Sequence, residues 1–230
     1  MYPYLATDFS HLDALVIAPH PDDESIGCGG SIIKHINSSS RVKVIFLTNG
    51  DKGDFEGRFG NDYLQIRRQS ALNAMETLGV RDFEFWEYGD RQVYSFLGEI
   101  EERLLNTVNK HKPSIIYAPS SYEAHPDHRA SFEIASKTAQ RTGTALLLYE
   151  VLIALHPNIL ADITKEIKQK IKAIQKYYTE LYYNNYTAKI IGLNRFRTFT
   201  LPSYVKYAEG FILIQKDESE QSINNHTRPK

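Results

Sequence analysis

Residues Asp13-Ala-Leu-Val-Ile-Ala18 are apolar at every position after the first, and the run stops at Pro19. A strand with one face in water alternates apolar and polar side chains. A run without alternation must be covered on both faces, as in a parallel sheet sandwiched between helices. That requirement places the chain in the α/β class. The rest of the sequence keeps to the plan. A helix is expected over Ile26 to Ile36, with Gly27, Gly29 and Gly30 allowing close packing on the sheet. Arg41 to Thr48 reads as a second strand, and Asn49 to Asp62 as a long glycine-rich loop suited to a lid or binding loop. Asp62 to Leu78 reads as a helix stopped by Gly79, with Leu64, Ala71, Met75 and Leu78 facing the core. Strands at Phe83 to Tyr88, Ser114 to Ala118 and Thr144 to Ile153 alternate with helices at Phe96 to Lys110 and Asp127 to Gln140. The alternation predicts a single-domain, Rossmann-like, mostly parallel sheet with helices on both faces. Ile163, Ile167, Ile171, Ile174, Tyr178 and Leu181 recur at helical steps and predict one amphipathic helix docked on that core. Val205 to Ile214 reads as a late strand. The domain is expected to span 1–215, with the polar residues 216–230 a disordered tail.

Two histidine–proline corners carry the chemistry: Pro19-His20-Pro21-Asp22-Asp23-Glu24 and His125-Pro126-Asp127-His128. Each falls where a strand gives way to a helix. Proline keeps the preceding histidine extended and itself suits the first helical turn. Ligands of open α/β sheets bind at the carboxyl ends of the strands, which is where both corners lie. His20 and Asp23 can point at one spot, and His128 can add a third donor. Two imidazoles and a carboxylate leave an open position on Zn²⁺, the arrangement of a catalytic site. Asp22 is then placed to act as general base. His125 is placed to act as a cation or proton donor across the site.

Single residues have plainer explanations. Asp22, Asp23 and Glu24 are acids favoured at a helix N-terminus. His11, His35, His111, His156 and His226 read as packed or surface histidines, and Cys28 as a buried small hydrophobe. One cysteine excludes an internal disulfide and a multi-cysteine metal site. The 27 basic against 28 acidic residues argue against a general nucleic-acid binder. No apolar run approaches a membrane span, and the first residues lack a signal peptide's pattern, so a cytoplasmic location is expected.

Together the PHPDDE segment opening a GCGGSI helix and the later HPDH resemble the LmbE-like (PIG-L) zinc de-N-acetylase family, over roughly residues 13 to 215. The resemblance implies a Rossmann-like fold and removal of acetyl groups from N-acetylglucosamine-type substrates. It implies His20, Asp23 and His128 as metal ligands, Asp22 as general base and His125 as the residue facing the tetrahedral intermediate. Thr48-Asn49-Gly50-Asp51 and Tyr207-Ala208-Glu209-Gly210-Phe211 look like the family's loop and closing strand. Arg67 and Asp90 resemble its substrate-binding residues. The chain departs from the family at Ser70, where relatives often have Glu, and at Glu123, where many have Asp. Neither departure is expected to touch a metal ligand.

The expected activity is hydrolysis of an N-acyl amide on an amino-sugar conjugate, with Zn²⁺ as cofactor and Fe²⁺ its alternative in the cell. A small molecule is the expected partner, and a homo-oligomer stays open. Two other readings compete: a non-catalytic saccharide-binding module, and a non-haem Fe(II) oxygenase, which uses the same donor set.

Overall fold

The computed structural model describes residues 3–214; the expected tail at 216–230 lies outside the described residues. Seven strands form one sheet in the order β3-β2-β1-β4-β5-β7-β6. They are β1 Ala14–Ala18, β2 Val42–Thr48, β3 Asp82–Tyr88, β4 Ile115–Pro119, β5 Ala145–Tyr149, β6 Ile159–Asp162 and β7 Ala208–Ile214. The first five are parallel, with Val16 opposite Val44 on one side and Tyr117 on the other. β7 runs antiparallel to both β5 and β6. Every residue of β1, β2 and β4 is buried, as strands covered on both faces require; β2 includes Lys43, whose ammonium reaches Asp82 and Glu84.

Helices α1 Asp23–Asn37, α2 Tyr63–Leu78 and α5 Ile167–Ile174 pack together on one face. α3 Leu97–His111 and α4 Pro126–Thr142 cover the other. The core therefore has two halves. Val16, Val44 and Tyr117 meet the first group of helices, while Leu15, Ile45 and Ile116 meet the second. Glycines in α1 set the distance to the sheet: a Cβ on Gly27 would lie 2.2 Å from the Tyr149 ring.

Several boundaries differ from the sequence reading. Leu64 is 45 % exposed and faces water. The stripe from Ile163 to Leu181 is broken into α5 and a separate short helix, α6 Tyr178–Tyr183. The break turns Tyr177 inward, fully buried, onto the Glu24 carboxylate. β5 ends at Tyr149 rather than Ile153, because Glu150 is buried against Arg197 and the Leu155 N–H. The late strand starts at Ala208, not Val205. β6 and a last helix, α7 Tyr186–Phe196, are additional to the expected elements.

Candidate metal centre and pocket

The sheet order reverses direction between β1 and β4, and both histidine–proline corners stand at that switch point. His20 and the first turn of α1 follow β1; His125 caps α4, which follows β4. Strands 101 residues apart in sequence are neighbours here through the pair Ala14 and Ile115, 115 minus 14. The two corners therefore meet at the carboxyl edge of these neighbouring strands.

Three donor atoms converge. His20 Nδ1 lies 3.2 Å from Asp23 Oδ2, His128 Nε2 lies 3.2 Å from the same oxygen, and the two nitrogens are 3.3 Å apart. Zinc bonds of about 2.0–2.1 Å in a tetrahedron set donor atoms roughly 3.3–3.4 Å apart. The observed triangle fits an ion of that size. Looser groupings exist within 4.8 Å, such as His20, His125 and His128, or His20, Asp90, His125 and Asp127. In the first triangle all three edges are 3.2–3.3 Å, as one ion requires.

The outer nitrogens are held as well. His20 Nε2 stands 3.3 Å from Asp127 Oδ2 and 3.3 Å from Asp90 Oδ1. His128 Nδ1 stands 3.3 Å from Glu123 Oε2. These partners place a proton on each outer nitrogen and leave the inner nitrogens free to donate electron pairs. Glu123 thus contacts His128, one of the three expected metal ligands, contrary to the sequence expectation. Its longer side chain also collects the backbone N–H groups of Val151, Leu152 and Ile153, at 3.0, 3.1 and 3.4 Å. The packed carboxylates hold the protonated, metal-free imidazole of His128 up to about 9, against burial and the His20 charge.

Asp22 has φ 131°, a region that side-chain-bearing residues rarely adopt. Its N–H donates to Glu24 Oε2 at 3.1 Å, and Glu24 Oε1 in turn accepts from Tyr177 Oη at 2.8 Å. Glu24 is thus more than a helix-start acid: it is a buried clamp on the strained residue before it. Burial raises the Asp22 carboxyl well above its usual range. Arg67 pulls it back, while Asp23 and Glu180 add to the rise. Arg67 is buried, 3.7 Å from Asp22 Oδ1, and ion-paired to Glu180. Asp90 Oδ1 is buried between His20 Nε2 at 3.3 Å and His125 Nε2 at 3.6 Å.

His125 is extended (φ −76°, ψ 134°), as the following proline demands, and caps α4 with its own ring: Nδ1 accepts from the Asp127 N–H at 3.2 Å. Burial and the charges of His20 and His128 depress its pKa to about 4. With Nδ1 accepting, the proton of an uncharged ring sits on Nε2, 3.6 Å from Asp90 Oδ1 and in the pocket lining.

All seven candidate residues (His20, Asp22, Asp23, Arg67, Asp90, His125, His128) line one pocket of about 240 Å³. Sequence reasoning missed Asp127 and Glu180. Asp127 stands in the HPDH motif and was legible as a partner for His20; Glu180, in a tyrosine-rich helix, carries no local signal.

A mostly parallel sheet with a two-histidine, one-carboxylate cluster at its switch point defines an α/β protein with donors for a divalent metal. Comparison with known proteins narrows this class. The chain belongs to the PIG-L family, whose profile, described as GlcNAc-PI de-N-acetylase, matches residues 15–139. It is 28 % identical over 185 residues to the diacetylchitobiose deacetylase of Thermococcus kodakarensis, covering 72 % of this chain and 69 % of that one. The N,N'-diacetylchitobiose deacetylase of Pyrococcus horikoshii superimposes with a TM-score of 0.77 at 26 % identity, covering 94 % of this chain and 86 % of the other. A 4-carboxy-2-hydroxymuconate hydratase from Pseudomonas putida shares the fold (TM-score 0.72, 21 % identity, 89 % of this chain and 97 % of that one). The fold alone therefore does not choose the reaction. Among the described residues no helix is long and apolar enough to cross a membrane.

Proposed function

We propose that this protein is a metal-dependent N-deacetylase acting on an N-acetyl amino sugar. The observation that carries the reading is the triangle of His20 Nδ1, Asp23 Oδ2 and His128 Nε2, with Asp22 and His125 lining the same pocket. Membership of the PIG-L family and the named activity of the Thermococcus and Pyrococcus relatives support it.

His20, Asp23 and His128 would hold the ion, zinc first and ferrous iron as its alternative. A bound divalent ion supplies Lewis acidity, polarising the acyl carbonyl and bringing water toward ionisation near neutral pH. Asp22 accepts the proton of the attacking water, a task suited to a carboxylate raised by burial. His125 donates its Nε2–H to the acyl oxygen as negative charge builds there. Water oxygen bonds to the acyl carbon, the C–N bond breaks, and Asp22 returns its proton to the leaving nitrogen. The products are acetate and a free amine. Arg67 favours the ionised form of Asp22 and aims it, and the Asp90 carboxylate in the pocket lining accepts a hydroxyl of the sugar.

The test is amine release from simple N-acetylglucosamine compounds by purified protein, with and without chelator and Zn²⁺ add-back. Release that a chelator abolishes and zinc restores is expected. No release from fully metal-loaded protein would overturn the reading in favour of a sugar-binding module.

A further inference from the structure

Asp22 carries its carboxyl on a backbone of φ 131°, and a residue keeps such a conformation only where its surroundings fix it. Two chains of contact do so. Both start at one end of α6, from Tyr177 at its cap and Glu180 in its first turn. These residues lie beyond the matched family region, 15–139. The first chain holds the backbone. Tyr177 Oη donates to Glu24 Oε1 at 2.8 Å, and Glu24 Oε2 accepts the Asp22 N–H at 3.1 Å. Ser25 Oγ also reaches Glu24 Oε1 but rides on the same helix, so Tyr177 is the tie from a separate segment. The second chain governs the side chain. Arg67 Nη2 stands 3.7 Å from Asp22 Oδ1, beyond a hydrogen bond. The guanidinium is bonded elsewhere: Nη1 donates to Glu180 and to Tyr63 Oη (2.8 Å), Nη2 to the Pro21 carbonyl (3.0 Å). Glu180 is itself fixed by Tyr63 Oη at 2.9 Å and Thr179 Oγ1 at 2.6 Å. The glycine loop 49–62 closes behind this group. A Cβ on Gly50 would collide with the Arg67 guanidinium, and one on Gly53 with Tyr63 Oη. Loop and α6 brace each other, with Phe55 stacked on Tyr183 at 4.3 Å and Tyr183 Oη donating to Asp54 at 2.7 Å. Phe55 and Tyr183 both line the pocket.

We propose that the start of α6 positions the general base: Tyr177 fixes the Asp22 backbone through Glu24, and Glu180 draws the Arg67 guanidinium away from the Asp22 carboxylate. Both are positioning residues that act through Asp22 rather than on the substrate, although Glu180 also lines the pocket. The inference rests on the deacetylase reading for what Asp22 does and adds how it is held ready. A base needs a free lone pair within hydrogen-bond reach of the water whose proton it takes. A guanidinium forked onto Asp22 would fill those lone pairs with two charge-assisted hydrogen bonds. Glu180 competes for the same cation and wins it, so Arg67 stays close enough to be felt as charge and too far to bond. The backbone tie serves the same end. With Tyr177 gone, the buried Glu24 loses its anchor outside α1, and the Asp22 peptide it clamps is free to relax toward an ordinary negative φ.

The experiment measures kcat, KM and zinc content for zinc-loaded wild type, Tyr177→Phe and Glu180→Gln, each alone and combined with Asp22→Asn, on a simple N-acetylglucosamine compound. Both substitutions nearly conserve volume, which spares the core. Each single variant should keep its zinc, hold KM within about twofold and lose about 10–100-fold in kcat, the scale of a displacement of about 1 Å. In the Asp22→Asn background the same substitutions should cost almost nothing, because residues that act through one group are not additive. A raised KM with kcat intact would make Glu180 a substrate contact and overturns the proposal. Losses of kcat that multiply with the loss in Asp22→Asn overturn it too, as general damage to the fold. If wild type hydrolyses no N-acetyl sugar, crystal structures of the zinc-loaded variants decide separately. Asp22 should leave its positive φ in Tyr177→Phe, and Arg67 should close to hydrogen-bond distance of Asp22 in Glu180→Gln. Those shifts keep the positioning role while the deacetylase reading falls. Asp22 and Arg67 left in place remove both.

Discussion

Asp22 combines a strained backbone, a buried carboxyl and a cationic neighbour, and each has a measurable consequence. Asp22→Asn should keep its metal by elemental analysis while kcat falls by about 100-fold or more, the range for losing a general base. Unchanged turnover would remove Asp22 from the mechanism. The charge on Arg67 favours ionised Asp22, so Arg67→Met leaves the carboxyl easier to protonate. The acid limb of kcat/KM against pH should then move to higher pH. A limb that stays in place or moves down would show that Arg67 does not set the Asp22 pKa. At Glu123 the readout is metal affinity. Glu123→Ala frees His128 Nδ1 and the loop at 151–153 together, and should weaken Zn²⁺ binding by about 10–100-fold. His20→Ala should lose metal and activity together; full occupancy would count against His20 as a ligand.

At the scale of elements, α1 is held unusually close to the sheet. A Cβ at Gly27 would meet three atoms of the Tyr149 ring at 2.2–2.8 Å, and the ring cannot retreat because its hydroxyl donates to the Ile17 carbonyl at 2.7 Å. Gly27→Ala should therefore destabilise the fold by at least the roughly 1–3 kcal/mol of an overpacked core, read as a lower urea midpoint. An unchanged midpoint would mean that α1 can shift outward freely. The same helix shows why periodicity misjudged the C-terminal region. Cys28 has non-helical dihedrals (φ −140°, ψ 20°), and beyond it the Gly30 and Ser31 N–H groups donate to Glu209 of β7 at 2.8 and 2.9 Å. Lys170 of α5 is fully buried against the same carboxylate. The stripe from Ile163 to Leu181 has helical spacing. Its interruption comes from Tyr177 reaching Glu24, 153 residues away, a hydrogen bond that local spacing does not encode.

For the whole molecule, the donor triangle ties the strand–helix corner after β1 to the corner after β4, so an ion there would bind only the folded chain. Added Zn²⁺ should raise the thermal midpoint, with about 2.7 kcal/mol of stabilisation at 100 times Kd. Asp23→Ala should abolish that rise, and a rise that survives would place the ion elsewhere. The alternation of buried strands and helices was legible in the sequence because burial on both faces favours unbroken apolar runs, as Ala14 to Ala18 illustrates; Val42 to Thr48 keeps to it except at Lys43, which pairs with Asp82 and Glu84, and Thr48. The two corners were legible because proline restricts its neighbour and both motifs follow strands. Residue types and local spacing thus determined the fold class and brought forward His20, Asp22, Asp23, His125 and His128 as candidates; Arg67 and Asp90 came forward only through the family resemblance. Only the tertiary structure decided that Glu123 braces His128, that His125 lines the pocket with its Nδ1 turned to the Asp127 N–H and that Glu24 clamps Asp22. It also decided that α6 and the glycine loop close one side of the pocket with aromatic rings. Each of these depends on contacts between distant segments and on the burial they create, and neither is a property of a residue and its neighbours in sequence.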